Sequence, residues 1–300
     1  MTNALKMDYW DLVTRSLRLA WKYKFLWFFG FFVSSGGGNV GQWQEDAAPW
    51  LREFFVMHPY AFVSLIIGVV ILGLAMIVLN VISTGGLIRS TSLAHGGRPI
   101  SFAQTWRAGL STFWRLLGLS VLAILTVFAV TAGCAVPIVI SALGGAPGIA
   151  IAFVIGAVLF LPYLAFLFLL TFTVTYAERE VVLQDADIFS AIREGWNLTK
   201  AWIWKSLAVW LVMLLSGLVF ATALIMGILI VAIPFVLIGI GNLVAALVLG
   251  IPIGLAILVL ASGWYGTYSY SVWTLTYEQL KAATAHDDVQ RPLLEGGAGA

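Results

Sequence analysis

The amino-acid sequence predicts an all-α integral membrane protein with six transmembrane helices arranged as three parallel repeats. Three observations support this prediction: charges are scarce, apolar runs are long, and one short basic segment recurs. Only 10% of the 300 residues are charged and 61% are hydrophobic, whereas soluble domains carry about 25% charged residues. A chain with so little polar surface is suited to a bilayer rather than to water.

Six apolar runs are candidates for transmembrane helices, because a span needs about 20 mostly apolar residues. Stretches of Leu, Ile, Val and Phe without alternation favour helices over strands. The first run is short, and Pro234 and Pro252 are expected to tilt or break the last two. The runs are 21–35, 61–88, 116–142, 149–176, 206–233 and 243–275.

The basic residues predict the orientation of the spans. All but one of the 16 Lys and Arg lie in four stretches, 1–24, 89–115, 177–205 and 276–300, and the exception is Arg52. Loops rich in Lys and Arg remain in the cytoplasm. The sequence therefore predicts a multi-pass protein of the cell (inner, or cytoplasmic) membrane with both termini in the cytoplasm.

Three short segments resemble one another at regular intervals: "RLAW" at 18–21, "RAGL" at 107–110 and "REGW" at 193–196. Around each shared arginine, apolar and polar residues fall on opposite helical faces with the same phase. This pattern predicts an amphipathic helix in the cytoplasmic interface, followed by a transmembrane hairpin. The repeat units are about 5–92, 93–180 and 181–280, related by a pseudo-threefold axis along the membrane normal.

Each amphipathic helix has its own start signal. Asp8 is a candidate N-cap for the first, Ser101 and Gln104 form a capping box for the second, and either Asp185 or Asp187 caps the third. The predicted apolar faces are Trp10, Val13, Leu17 and Trp21 in the first, Phe102, Trp106, Leu110, Phe113 and Leu117 in the second, and Ile188, Ile192, Trp196 and Ile203 in the third.

The domain organisation predicted from these patterns is a single transmembrane domain, 1–284, followed by a disordered cytoplasmic tail, 285–300. The outer loop at 37–60 is expected to contain a short surface helix around 50–55. An alternative for the N-terminus is a signal peptide cleaved before Gly36. The acidic Asp8 and Asp11 and the likeness to the other two units argue against cleavage.

The sequence provides no set of catalytic or metal-binding residues. All 14 Asp and Glu lie outside the six apolar runs, the three histidines are scattered, and Cys134 is the single cysteine. Motifs of metalloproteases, serine hydrolases and nucleotide-binding loops do not occur. We therefore expect no enzymatic activity, no cofactor and no metal, and the net charge of +2 gives no reason to expect nucleic acid.

The candidate functional residues are the basic side chains of the recurring segments. At the cytoplasmic face they are suited to contact the headgroups of anionic membrane lipids. Asn80 is a candidate polar site inside the membrane, either an interhelical hydrogen-bonding residue or a point on a solute path. The candidate headgroup contacts are Arg15, Arg18, Arg107, Arg115, Arg193 and Lys200.

Two stretches carry a resemblance to a known group of proteins. "REGWNLTKAWIWK" after "AEREVVLQDADIFSAI", and "GGRPISFAQTWRAGLSTFWRLLGL" entering a span, resemble an uncharacterised group of bacterial and archaeal polytopic membrane proteins. The pattern is similar to the membrane domain of membrane-bound glycerophosphodiester phosphodiesterases, over about 10–280. The soluble catalytic domain of those enzymes has no counterpart here, so the resemblance implies fold, topology and a connection with lipids, but not hydrolysis.

These observations favour a non-catalytic membrane protein, a scaffold or accessory module associated with lipid handling, with a membrane or cytoplasmic protein partner left open. The alternative is a transporter or lipid-flipping protein whose path runs between the three units, lined by Asn80, 171–176 and 268–270. An intramembrane enzyme is the third hypothesis, and it lacks the converging acid and base groups that it would need.

Overall fold

A computed structural model describes residues 8–34 and 59–296 of the chain, with side chains up to residue 286. All regular structure in these ranges is α-helical, which confirms the predicted all-α class. The helices are α1 (Tyr9–Lys22), α2 (Leu26–Ser34), α3 (Pro59–His95), α4 (Phe102–Ala142), α5 (Gly145–Leu183), α6 (Ile188–Gly241) and α7 (Leu243–Gly296).

Five of these helices are long and apolar enough to cross a membrane: Tyr60–His95, Phe102–Ala142, Gly145–Leu183, Ile188–Gly241 and Leu243–His286. The shortest has 36 residues, which corresponds to about 54 Å of helix. Because the hydrocarbon core of a bilayer is about 30 Å thick, each helix is long enough to cross and to continue beyond it. The protein is therefore a multi-pass membrane protein.

The first predicted span does not form one continuous helix. α1 ends at Lys22 and α2 begins at Leu26, with a break at 23–25 between them. The indole N–H of Trp27 donates to the carbonyl of Ala20, 2.8 Å away, and so satisfies a carbonyl in the last turn of α1. α2 has nine residues, about 14 Å, which is half of a bilayer core. Residues 35–58, including the predicted surface helix at 50–55, lie outside the described residues.

Pro234 and Pro252 were predicted to tilt or break the last two spans, but neither proline breaks its helix. α6 continues through Pro234 to Gly241, and α7 is helical on both sides of Pro252. Proline is tolerated in membrane helices, where neighbouring groups satisfy the freed carbonyl. The deviation from helical geometry is at Trp202 instead, with φ −126° and ψ 28°. This kink separates the predicted amphipathic segment from the predicted span at 206–233.

The chain divides into two compact units. One contains Met1–Tyr9, Ser111–Leu214 and Trp273–Ala300, and the other contains Trp10–Leu110 and Leu215–Val272. In the second unit, Leu19, Leu26, Phe29 and Leu87 form a hydrophobic cluster. In the most apolar 18-residue stretch of each span, at most 6% of the residues are buried. The helices therefore pack mainly near the ends that carry basic residues.

α7 extends past residue 284, where the predicted cytoplasmic tail begins. α7 continues to Gly296, and only the last four residues lie outside the described chain. A helix that has already formed lengthens easily, because each further residue adds a hydrogen bond without a new nucleation cost.

Candidate functional site

The recurring basic segments form α1, the start of α4 and the start of α6. α1 begins at Tyr9, directly after Asp8. The capping box of α4 is confirmed: the backbone N–H of Ser101 donates to Gln104 Oε1 at 3.1 Å, and the N–H of Gln104 donates to Ser101 Oγ at 3.3 Å. Local sequence therefore sets where these helices start.

Of the two predicted caps for α6, the structure selects Asp187. The backbone N–H of Ser190 donates to Asp187 Oδ2 at 3.3 Å, and the Ser190 hydroxyl donates to Oδ1. Both bonds lower the pKa of Asp187, because they favour its carboxylate form. The bond from the Ser190 hydroxyl has the larger effect, and the bond from the Ser190 backbone N–H has the smaller one. Asp185 has a positive φ of 53° and forms the preceding turn.

Small residues form the buried face of each basic segment. They lie two positions before and two positions after the shared arginine. This spacing of four residues lets helix backbones approach closely in a membrane. The pairs are Ser16 and Ala20, Thr105 and Gly109, and Ala191 and Gly195, all of them buried.

Two of the basic segments pack on the helix that precedes them in the chain. A Cβ on Gly109 would overlap the carbonyl oxygen of Ile82 in α3. A Cβ on Gly195 would lie 2.6 Å from the carbonyl oxygen of Thr173 in α5. The positions two before and two after the shared arginine are buried in all three segments, as expected for repeated units. The threefold arrangement of the units stays a prediction.

The first segment is held next to α7 through α2. Gly30 of α2 and Gly266 of α7 meet backbone to backbone, with no space for a side chain on either. The Thr267 hydroxyl donates to the carbonyl of Leu26 at 2.9 Å. The first and last parts of the second unit are therefore in direct contact.

The predicted apolar face of α1 is not its packed face, whereas Phe102 and Trp106 of the second segment contact the ring of Phe29. In α1, Trp10 is 76% exposed and Trp21 is 56% exposed, whereas Leu12, Ser16, Leu19 and Ala20 are buried. Bilayer lipid solvates large apolar side chains, so Trp10 and Trp21 can stay exposed, while Ser16 and Ala20 let the helix backbones approach closely. Exposed tryptophan suits the interface, since its ring is apolar and its N–H is polar.

All six candidate basic residues are exposed, and three of them already have a partner. The Arg15 guanidinium lies 2.8 Å from the carboxylate of Asp11. Arg115 Nη1 donates to the carbonyl of Asp185 at 2.9 Å. The Lys200 ammonium lies 5.3 Å from the centre of the Trp196 ring, a cation–π contact.

The other three are the aligned arginines of the repeat, Arg18, Arg107 and Arg193. Within the part of the chain that the structure describes, none of them forms a salt bridge. An exposed guanidinium without a carboxylate keeps its five N–H donors for other acceptors, and its planar fork matches phosphate. These three positions are therefore the strongest candidates for headgroup contact.

The Asn80 side chain of α3 caps the C-terminal end of α2. Its side-chain N–H donates to the carbonyl of Phe32 at 2.8 Å. Phe32 lies in the last turn of α2, where carbonyls lack a partner within the helix. This contact favours the hydrogen-bonding interpretation of Asn80 over a position on a solute path.

A buried ion-pair network was missed by the sequence analysis. Arg179 and Glu180, at the end of α5, are 1% and 2% exposed. Arg179 Nη1 donates to Glu178 at 3.0 Å. Lys281 of α7 pairs with Glu180, and its Nζ lies 3.9 Å from Glu194 of α6. The network joins three helices of the first unit.

Residues 8–34 and 60–286, whose side chains the structure describes, contain no candidate metal site. No group of three or more His, Cys, Asp or Glu in these ranges could hold an ion. The carboxylates of the buried network are instead engaged by Arg179 and Lys281. The arrangement is therefore one of charge pairing between helices.

Comparison with known proteins gives one match. A model of a protein family, described as "Family of unknown function (DUF7544)", matches residues 14–279. The matched range contains all three shared arginines and reaches from α1 into α7. No curated protein and no solved structure matches the chain.

Proposed function

This chain belongs to that family of unknown function, and we propose that it is a non-catalytic membrane protein that serves as a scaffold or accessory module in lipid handling. One observation carries this proposal: among the described residues, Arg18, Arg107 and Arg193 are exposed and form no salt bridge, and the opposite face of each segment is buried. Such segments hold a guanidinium fork at the edge of the membrane, where lipid phosphates lie.

The proposal places the basic connections and both termini in the cytoplasm of the cell that makes the protein. This orientation follows from the distribution of Lys and Arg, and it puts the three arginines in the same leaflet. A basic residue near an anionic surface contributes about 1 kcal/mol of attraction. Three residues arranged by a pseudo-threefold repeat would therefore enrich anionic lipid around the protein.

The sequence pattern that resembles the membrane domain of glycerophosphodiester phosphodiesterases supports a connection with lipids, and the family match neither includes nor tests that likeness. Hydrolysis is not part of the proposal. The transporter alternative has less support, since the amide of Asn80 is engaged by the carbonyl of Phe32.

A matched pair of double variants tests the proposal. Arg107→Gln with Arg193→Gln is expected to lower the ratio of phosphatidylglycerol to phosphatidylcholine bound to the purified protein several-fold. The upper limit is about 25-fold if each arginine contributes about 1 kcal/mol. Native mass spectrometry from mixed-lipid nanodiscs measures this ratio.

The control is Arg15→Gln with Arg115→Gln. It removes two exposed arginines that already have partners within the protein, so a smaller change is expected. An equal change in both pairs would mean that only the total charge matters. Unchanged lipid ratios in both pairs would refute the proposed headgroup contacts.

A further inference from the structure

The second unit contains an elongated apolar cavity between the end of α6 and the start of α7. Its volume is about 570 Å³, within the roughly 300–1,000 Å³ typical of small-molecule sites. A Cβ added to Gly250 would lie 3.3 Å from the Phe235 ring, and a Cβ added to Gly239 would lie 3.5 Å from the Cβ of Ala246. These contacts hold the two helices together along one side of the cavity.

The lining residues recur every three or four positions on both helices. On α6 they extend from Ile228 to Ile240, which is about 18 Å at 1.5 Å per residue, so the cavity is long and narrow. The complete lining is Ile228, Val231, Ala232, Phe235, Val236, Gly239, Ile240, Leu243, Ala246, Leu247, Gly250, Ile251, Gly254 and Ile257.

The chemistry of the lining restricts the occupant. Every lining side chain is apolar, so a polar solute would lose its hydrogen bonds to water without replacement, and water itself needs two to four polar partners. The long, narrow shape matches a flexible hydrocarbon chain better than a ring system. The occupant must therefore be apolar and linear.

The surroundings indicate where such a chain comes from. α6 and α7 both cross the membrane, and outward residues such as Leu229 and Ile233 are exposed. Ile240 and Leu243, which line the cavity, are themselves exposed, so the cavity opens to the lipid-facing side. We propose that the cavity between α6 and α7 binds the acyl chain of a membrane lipid. This inference deepens the proposed function and rests on it for the role of lipid.

The test uses full-length protein reconstituted with a phosphatidylcholine that carries a photoreactive diazirine near the end of one acyl chain. After illumination, mass spectrometry maps the labelled residues. In the wild type, the stripe formed by Ile228, Ala232 and Phe235 should be labelled several-fold more than the outward residues Leu229, Ile230 and Ile233. Equal labelling of the two stripes would overturn the proposal, because it would mean ordinary contact with surrounding lipid.

A filling substitution gives the second measurement. Gly254→Phe places a ring in the cavity, and Gly227→Phe places one on α6 outside the lining. Both glycines have nothing within 4 Å of an added Cβ, so the two variants are matched. Labelling of the stripe should fall several-fold only in Gly254→Phe, and equal labelling in the two variants would overturn the proposal.

The photoreactive phosphatidylcholine has no net charge, so its labelling tests the cavity proposal separately from the proposed contacts with anionic headgroups. Arg107→Gln with Arg193→Gln should leave the labelling of the cavity unchanged even when anionic lipid is lost. Loss of the preference for anionic lipid in this variant, with the cavity labelling intact, supports both proposals. Equal labelling of the two stripes in a wild-type protein that still prefers anionic lipid would overturn the cavity proposal and leave the headgroup contacts standing.

Discussion

Replacing Gly266 with alanine is expected to destabilise the protein strongly, because the new methyl group has no space. Its carbon would overlap the carbonyl oxygen of Gly30 and approach the Gly30 Cα at 3.0 Å. Backbone atoms cannot rotate away as a side chain does, so α2 must separate from α7. Overpacking of this kind costs about 1–3 kcal/mol, and occasionally more, and we expect the upper end of that range.

Gly73→Ala is the control for this substitution. Gly73 also lies in a helix but has nothing within 4 Å of an added Cβ. Alanine favours helix over glycine by about 1 kcal/mol, so this variant should be as stable as the wild type or slightly more. Unfolding in detergent, followed by tryptophan fluorescence, measures both. Equal stability of the two variants would contradict the close packing of α2 on α7.

Replacing Lys281 with methionine is expected to have the second large effect. Glu180 is almost fully buried and has Lys281 as its salt-bridge partner. Loss of one partner of a buried pair costs about 3–5 kcal/mol because the other charge stays buried. The Lys281 side chain is 35% exposed, so we expect a loss of about 3 kcal/mol, measured as the free energy of unfolding.

Two further variants check the cause of this effect. Glu180→Gln should lower the free energy of unfolding less than Lys281→Met does. The lysine left without Glu180 is partly exposed to solvent and still has Glu194 nearby. Arg15→Met breaks an exposed pair with Asp11 and should cost less than about 1 kcal/mol. If Lys281→Met were no worse than Arg15→Met, the buried network would not stabilise the first unit.

Several features of the fold could be predicted from the sequence because they depend on near neighbours in the chain. The helical class follows from apolar runs without alternation. The start of α4 at Ser101 and Gln104, and that of α6 at Asp187, follow from side chains that bond backbone groups within three residues. Such signals do not depend on how distant parts of the chain pack.

The packed faces of the basic segments could not be found from hydrophobicity. Ser16, Thr105 and Gly109 are buried, yet all three rank low on hydrophobic scales. In a membrane, close approach of backbones contributes to which face is packed, and Trp10 and Trp21 of α1 remain exposed. Residue size at a spacing of four is the signal that would have identified these faces.

The buried ion pairs depend on contacts between distant residues. Glu180 and Lys281 are 101 positions apart, and neither has a local pattern that predicts its partner. This pairing follows from tertiary packing, which short-range sequence patterns do not reveal.

The most direct test of a lipid-handling role is purification of the protein from its native membrane without detergent stripping, followed by mass spectrometry of all bound molecules. We expect one anionic lipid class to be retained well above its abundance in that membrane. A lipid profile equal to that of the membrane, together with a stoichiometric protein partner, would contradict lipid handling. The protein would then be an accessory subunit whose function depends on that partner.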